Sequence, residues 1–316
     1  MADYAEKYTD KQADIFAAKI KEIYKQAAID IKHKIDNFLN RHKARAKKML
    51  ERVEAGEITK DDYADWLRGQ VFQGRQWKQR MRDMIAVYVG ADTKARELLG
   101  GTLKNVFVEA ANYTAYDIAS NFRAGIAFNI YDKKTVERLL KDNPKMLPEW
   151  KINEKKDYIW NEKRVQNALA QGIIQGESIG KIRDRLTEDL SSGNADKMYM
   201  FARTVMTGAQ NAGRVERMRE ADKEFGIKSM KQWSTVHDNR VRDTHNDLNG
   251  MTVDYDEDFT VPNDGRTIRY PGDPFADADL VYNCRCSLLY IHKGSNVDYS
   301  LDAHRESYKQ WLAQRR

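Results

Sequence analysis

The sequence predicts an α+β protein: an extended, mainly α-helical N-terminal and middle region, then a small C-terminal α+β module containing a short antiparallel sheet. Three observations predict it. No proline occurs before Pro144, and proline is the residue that breaks helix interiors, so residues 1–143 are free to form long helices. Phe16, Ile20, Ile23, Ala27, Ile31, Ile35 and Phe38 recur at spacings of three and four, which places them on one stripe of a helix. After Gly226 the character changes: Met230 to Val236, Met251 to Tyr255 and Leu280 to Ile291 are rich in β-branched and aromatic residues, with turn signals between them.

The elements follow in order. The first stripe is flanked by Lys19, Lys21, Glu22, Lys25 and Lys32, and the basic run Arg41, His42, Lys43, Arg45, Lys47 and Lys48 comes after it. Such a run is either a solvated helical surface or a contact for DNA or a partner. Gly56 marks a turn, and Thr59 before Asp61 and Asp62 reads as an N-cap with acidic residues in the first turn. Tyr63 to Val89 repeats the helical spacing through Trp66, Leu67, Phe72, Trp77, Met81, Ile85 and Tyr88. Gly100–Gly101 is expected to punctuate the chain before another helix from Val106 to Phe128, whose aromatics are assigned to core. Asn143 through Pro148 reads as a linker. Tyr158 to Gln171 is helical, and a short helix through Ile182 and Leu186 takes Ser178 as its cap. Ser191 to Asn194 reads as a polar turn, and Ala195 to Ala221 as a long helix interrupted by Gly208 and Gly213. Asp264-Gly265 suits a hairpin, and Tyr299 to Arg316 a last amphipathic helix. The expected divisions are 1–145, 146–226, 227–298 and 299–316.

Composition bounds the function. The chain is 41% apolar and 32% charged, which permits a core but leaves much polar surface. Its net charge of +6, from 54 basic and 48 acidic residues, is compatible with work near nucleic acid and equally with a charge-rich helical surface. There is no apolar run long enough to span a membrane, and Met1 to Asp10 lacks the apolar core of a signal peptide. Two cysteines do not make a disulfide framework, so synthesis and assembly in a cytoplasm are expected.

One constellation carries more information. Trp233 opens a segment in which Asp238, Arg240, Arg242, Asp243 and His245 fall close together, with His237 just before them. Leu248-Asn249-Gly250 follows, then Tyr270-Pro271-Gly272-Asp273-Pro274, then Asn283-Cys284-Arg285-Cys286. This ordered set resembles the phage Mu F-type head morphogenesis family. In that family a Trp and an Asp-x-Arg-x-Arg-x-x-His segment precede a Leu-x-Gly turn, a Pro-Gly-Asp-Pro loop and an Asn-Cys-Arg-Cys strand. A weaker likeness extends upstream through Trp160, Gly176-x-Ser-Ile, Ala202-Arg203-Thr204 and Asn211. The resemblance implies a minor capsid protein of a tailed bacteriophage that works with portal protein, major capsid protein or scaffolding protein in the host cytoplasm and the phage head. In some phages such proteins take part in genome delivery.

The residues themselves leave alternatives open. Cys284 and Cys286 on a strand would point to one face and Arg285 to the other. The two thiols either pack the sheet or join His245 and His237 or Asp238 around zinc. Arg240, Arg242 and Arg285 either bind phosphate or an acidic partner, or form ion pairs with Asp238 and Asp243. Asp273, in a rigid turn, caps backbone or bridges to an arginine. Two further functions compete with a structural head role. One is double-stranded DNA binding through Arg41, Lys43, Arg45, Lys47 and Lys48; the other is a metal- or thiol-dependent hydrolase. No helical His-Glu-x-x-His, glycine-rich phosphate loop or Gly-x-Ser-x-Gly supports the enzyme.

Overall fold

The computed structural model describes residues 3–72, 75–121, 128–143, 146–147, 154–175, 177, 179–236, 238–292 and 307–315, with side chains described throughout except at 35–43, 70–72, 75–78, 121, 154, 173–174 and 179. Long helices dominate. The apolar stripe builds α1 (Tyr4–Glu54), whose buried positions include Phe16, Ile20, Tyr24, Ala27 and Ile31. The chain turns at Gly56, where φ is +74°. Thr59 then starts α2 (Lys60–Phe72): Asp62 N–H donates to the Thr59 hydroxyl, and Thr59 N–H donates to the Asp62 carboxylate.

Two expected breaks are absent. α3 runs from Arg75 to Asn121 through Gly100–Gly101. Leu99 and Leu103 are fully buried on either side, and their packing outweighs a helical penalty of about 1 kcal/mol per glycine. The aromatic helix expected from Val106 is therefore the second half of α3, and Phe128 lies outside it. α4 (Lys133–Asp142) is capped by Asp132, whose carboxylate accepts Thr135 N–H at 2.7 Å. α5 (Glu154–Ile174) and α6 (Ile179–Asp184) follow, and a π-helical turn (Arg185–Asp189) leads straight into α7 (Leu190–Phe225). Ser178, the expected cap of α6, lies outside the described residues, as do Pro144 and Pro148 of the linker.

The expected polar turn at Ser191 to Asn194 is helix. Its side chains find partners within the fold: the Ser191 hydroxyl lies 3.2 Å from Tyr88 Oη, and Asn194 Nδ2 donates to Asn161 Oδ1 at 3.2 Å. A polar side chain satisfied this way no longer competes for its own backbone. Nor do Gly208 and Gly213 interrupt α7.

The chain divides into two compact units. One comprises Ala17–Leu98 and Lys151–Tyr199 and is helical wherever elements are described. At its centre Asp92, 7% exposed, accepts from Tyr24 Oη and from Asn161 Nδ2 at 2.8 Å. Burial raises the Asp92 carboxyl above its ordinary pKa. Arg96 pairs with Asp157 nearby.

The other unit comprises Met1–Phe16, Leu99–Trp150 and Met200–Arg316. It holds an antiparallel sheet ordered β2-β1-β5, made of β1 (Ser229–Ser234), β2 (Thr252–Asp254) and β5 (Ser287–His292). Trp233 pairs with Leu288, and Gln232 with Thr252. A two-stranded hairpin, β3 (Phe259–Thr260) with β4 (Thr267–Ile268), surrounds Gly265, where φ is +75°. Two short helices interrupt the strands, α8 (Asp243–Leu248) and α9 (Ala278–Val281). The strand expected from Leu280 thus begins only at Ser287. The described last helix, α10 (Tyr308–Ala313), starts at a Ser307/Gln310 capping box; residues 299–306 of the expected helix lie outside the described residues. Tyr308 and Trp311 join Ala115, Ile118, Met218 and Ile227 in the core.

Gly213 shows why α7 needs a glycine there. A Cβ at this position would lie 2.5 Å from the Phe107 carbonyl oxygen of α3. Gly213→Ala is therefore expected to destabilise the full chain by about 1–3 kcal/mol, against the stabilisation of about 1 kcal/mol that helix propensity alone predicts. Urea unfolding decides between the two signs.

Candidate metal centre

The centre rests on one face of α7. Thr204, Thr207, Gly208 and Asn211 lie at helical positions i, i+3, i+4 and i+7, and together with Gln210 they stitch the segment 283–288 and the Pro-Gly-Asp-Pro loop to the helix. Thr204 Oγ1 accepts Asn283 N–H at 2.8 Å, Thr207 Oγ1 donates to the Cys284 carbonyl at 2.8 Å, and Gln210 Nε2 donates to Ser287 Oγ at 2.9 Å. Asn211, fully buried, accepts Leu288 N–H at 2.9 Å and donates to the Pro271 carbonyl at 3.0 Å. Gly272 adopts φ +78°, and a Cβ there would lie 2.4 Å from Gly208 N. Two glycines thus let the loop touch the helix backbone. Asp273, 2% exposed, closes the turn: its carboxylate accepts the Arg269 and Phe275 N–H groups at 3.1 and 3.0 Å and forms an ion pair with the Arg269 guanidinium.

The segment with the histidine is an excursion between β1 and β2, closed at its base. Trp233 N–H donates to the Met251 carbonyl at 2.9 Å, and Gly250 N–H donates to the Trp233 carbonyl at 2.8 Å. Asn249 Oδ1 accepts Thr235 N–H at 3.0 Å. Within the excursion, α8 turns His245 inward, 2% exposed, with its ring edge-on to the buried Trp233 ring at 5.0 Å. Arg242 donates to the carbonyls of Asp279 and Tyr282, which fixes α9 against α8.

Three donor atoms converge here. His245 Nδ1 lies 3.5 Å from both Cys284 Sγ and Cys286 Sγ, and all three residues are buried. His245 Nε2 lies 2.7 Å from the Leu280 carbonyl oxygen, an acceptor only. That bond assigns the ring proton to Nε2 and leaves the Nδ1 lone pair facing the sulfurs. The two thiols are unlike. A hydrogen bond from Cys286 and the nearby His245 hold Cys284 well below the ordinary thiol range. Cys286 is pushed up by its bond to Cys284, whose negative charge it would have to join.

The residues expected at a site separate into two groups. Cys284 and Cys286 do alternate with Arg285, although they precede β5 rather than lie in it. Arg285 points away and donates to Asp238 at 2.7 Å; Asp238 also accepts Arg240 N–H at 3.0 Å. Asp238 is thus an arginine acceptor, its carboxyl lowered chiefly by Arg285, and is not among the converging donors. His237 lies outside the described residues. Arg242 binds carbonyls rather than the acids expected for it, and Asp243 opens α8. In the basic run Arg45, Lys47 and Lys48 are exposed, while the side chains of Arg41 and Lys43 are outside the described set. Sequence reasoning missed Thr207 and Gln210, whose signal was a polar stripe at helical spacing. It also missed three buried cations, Arg214, Arg217 and Lys231, for which the sequence carries no signal beyond a lysine in an otherwise strand-like run.

Residues 163–289, which contain the α7 face, the excursion and the cysteines, match the family described as Phage Mu protein F like protein. The chain is 28% identical over 294 residues to the Minor head protein GP7 of Bacillus phage SPP1, covering 92% of this chain and 83% of that protein. It is 29% identical over 157 residues to the NAD(+)--arginine ADP-ribosyltransferase EFV of Enterococcus faecalis, covering 48% of this chain but 31% of that protein. It is 25% identical over 221 residues to the Uncharacterized protein YqbB of Bacillus subtilis, covering 69% of this chain and 67% of that protein. No solved structure matches.

Lys231 sits beside this centre on β1, 2% exposed, with Nζ donating to the Arg269 carbonyl at 2.8 Å. Burial pushes its ammonium down to about 8, only partly opposed by Asp258 and Asp256. The folded pKa lies below the unfolded value of about 10.4, so the folded chain releases this proton first and stability rises with pH through that window. Raising pH from about 7 to about 9 is expected to add about 1 kcal/mol through this residue. Lys231→Met should remove that increment in denaturant titrations at the two pH values. An identical pH response in the variant would mean that Lys231 is not the source.

Proposed function

We propose that this chain, whose residues 163–289 match the Phage Mu protein F like family and which is similar to a minor head protein, is a head-morphogenesis component that binds the portal, the inner capsid or both during procapsid assembly. The observation that carries this reading is the likeness to a minor head protein over 92% of the chain. The family match covers residues whose polar side chains are spent on each other and on backbone, which suits a scaffold better than a reacting centre. The helical N-terminal part supplies contact surface in this role. The protein is made in the host cytoplasm and becomes part of the head, with a contribution to genome ejection. No helix among the described residues is long and apolar enough to cross a membrane. The Cys/His group serves this scaffold structurally; zinc, the metal its donors suit, would cross-link the excursion to the segment before β5.

Co-expression of the full-length chain with the portal and major capsid proteins of its own phage tests the proposal. Capture of the chain on tagged portal, surviving size exclusion, is the expected result. A folded chain that co-purifies with neither protein overturns it.

A second reading, double-stranded DNA binding, is favoured by the exposed Arg45, Lys47 and Lys48 on α1 and the net charge of +6. Replacing these three with glutamate is expected to reduce the slope of log affinity against log salt by about 3. Absence of binding at low salt in the unmodified chain rejects the reading.

A further inference from the structure

The converging thiols and imidazole are over-supplied with donors for one another. In the tautomer fixed by Leu280, Nδ1 offers one lone pair, yet both Sγ atoms lie 3.5 Å from it. Cys284 Sγ also accepts Cys286 N–H at 3.3 Å. A further donor belongs to the same core: Trp233 Nε1–H is fully buried without an acceptor, and its ring lies edge-on to that of His245 at 5.0 Å. The single imidazole lone pair thus faces two sulfurs, and the indole N–H has no acceptor. As thiolates on a bound cation the sulfurs would be stronger acceptors for the backbone and indole N–H groups.

The distances fit such a cation. Zinc bonds of about 2.3 Å to sulfur and about 2.0–2.1 Å to nitrogen, at a tetrahedral angle, separate S and N by about 3.6 Å. Both Sγ–Nδ1 separations are 3.5 Å, and all three ligand atoms lie within 4.8 Å of one another. Two thiolates and a dication cancel in charge, as a buried pocket requires. Soft sulfur donors select the zinc class over magnesium or calcium.

We propose that Cys284 Sγ, Cys286 Sγ and His245 Nδ1 bind one thiophilic divalent cation of the zinc class, with Trp233 Nε1–H as hydrogen-bond donor to the Cys286 sulfur and the Leu280 carbonyl orienting His245. The ion joins the excursion between β1 and β2 to the segment that leads into β5. Both sulfurs bind as thiolates, and any proton they carry passes to solvent. Asp238, held by Arg285 and Arg240, is not a ligand, so the fourth position belongs to a donor other than this carboxylate.

Metal analysis of the full-length chain, grown with zinc and purified without chelator, tests the site. About one zinc per chain is expected, falling at least tenfold in Cys284→Ser/Cys286→Ser. A second measurement does not depend on that variant folding. Metal-free parent protein titrated with cobalt(II) should develop a near-ultraviolet thiolate-to-cobalt band that saturates at one equivalent, and its melting temperature should rise on adding zinc. A folded parent protein with neither zinc nor a cobalt–thiolate band overturns the proposal. These readouts require no head protein, so they stand or fall separately from portal capture.

Discussion

The Asn211 carboxamide is the constraint on which the C-terminal module depends. It is fully buried, its oxygen takes the Leu288 N–H at the start of β5, and its nitrogen donates to the Pro271 carbonyl and back to the Thr207 carbonyl of its own helix. An amide can fill this place because it accepts and donates on one planar group. A buried backbone N–H or C=O without a partner costs about 1–3 kcal/mol, so a strand end and a loop are tied to one side chain at an energy the fold cannot ignore. Thr204, Thr207 and Gln210 repeat the device along the same helix, and the Gly208–Gly272 approach brings the loop near enough for it to work.

That stitching determines the geometry of the Cys/His group. Cys284 is held by its own carbonyl, bonded to Thr207, and the chain from Ser287 onward is registered against β1 residue by residue. Trp233, on the same β1, carries the base of the excursion that delivers His245 and also presents its ring to that histidine. Three donor atoms from two distant stretches of sequence meet because both stretches are anchored by backbone hydrogen bonds. The charged residues among them are turned outward: Arg285 and Arg240 share Asp238, and Arg266 pairs with Asp264, Asp277 and Asp279. The sulfurs, the imidazole and the Trp233 ring are left to face one another.

The likeness to head proteins and the hydrogen bonding of buried backbone fall on the same residues. The blocks that resemble head morphogenesis proteins are the ones that close turns, cap helices and satisfy buried backbone. A residue set that fixes a shape suits a component of an assembly, whose task is to present a defined surface. The helical unit of Ala17–Leu98 and Lys151–Tyr199 solves its own burial differently, through a polar centre of Asp92, Asn161 and Tyr24 instead of a purely apolar one.

The class of fold, the stripe that builds α1, the Thr59 and Gly56 punctuation, the strand-like runs after Gly226 and the likeness to head proteins were all legible in the sequence, because each is written in neighbouring residues or in spacing along one element. The sequence also singled out the cysteines and His245, with His237, which lies outside the described residues, and Asp238, which accepts from Arg285. That Gly100–Gly101 and Ser191 to Asn194 continue as helix follows from packing, since buried leucines in one case and satisfied polar side chains in the other outweigh local preference. The tertiary structure alone decided that Asp238 belongs to Arg285 and not to the sulfurs, and that Arg214, Arg217 and Lys231 lie buried. Local propensities are worth a fraction of a kcal/mol to about 1 kcal/mol per residue; burial and hydrogen bonding between distant residues exceed that, and linear spacing does not encode them.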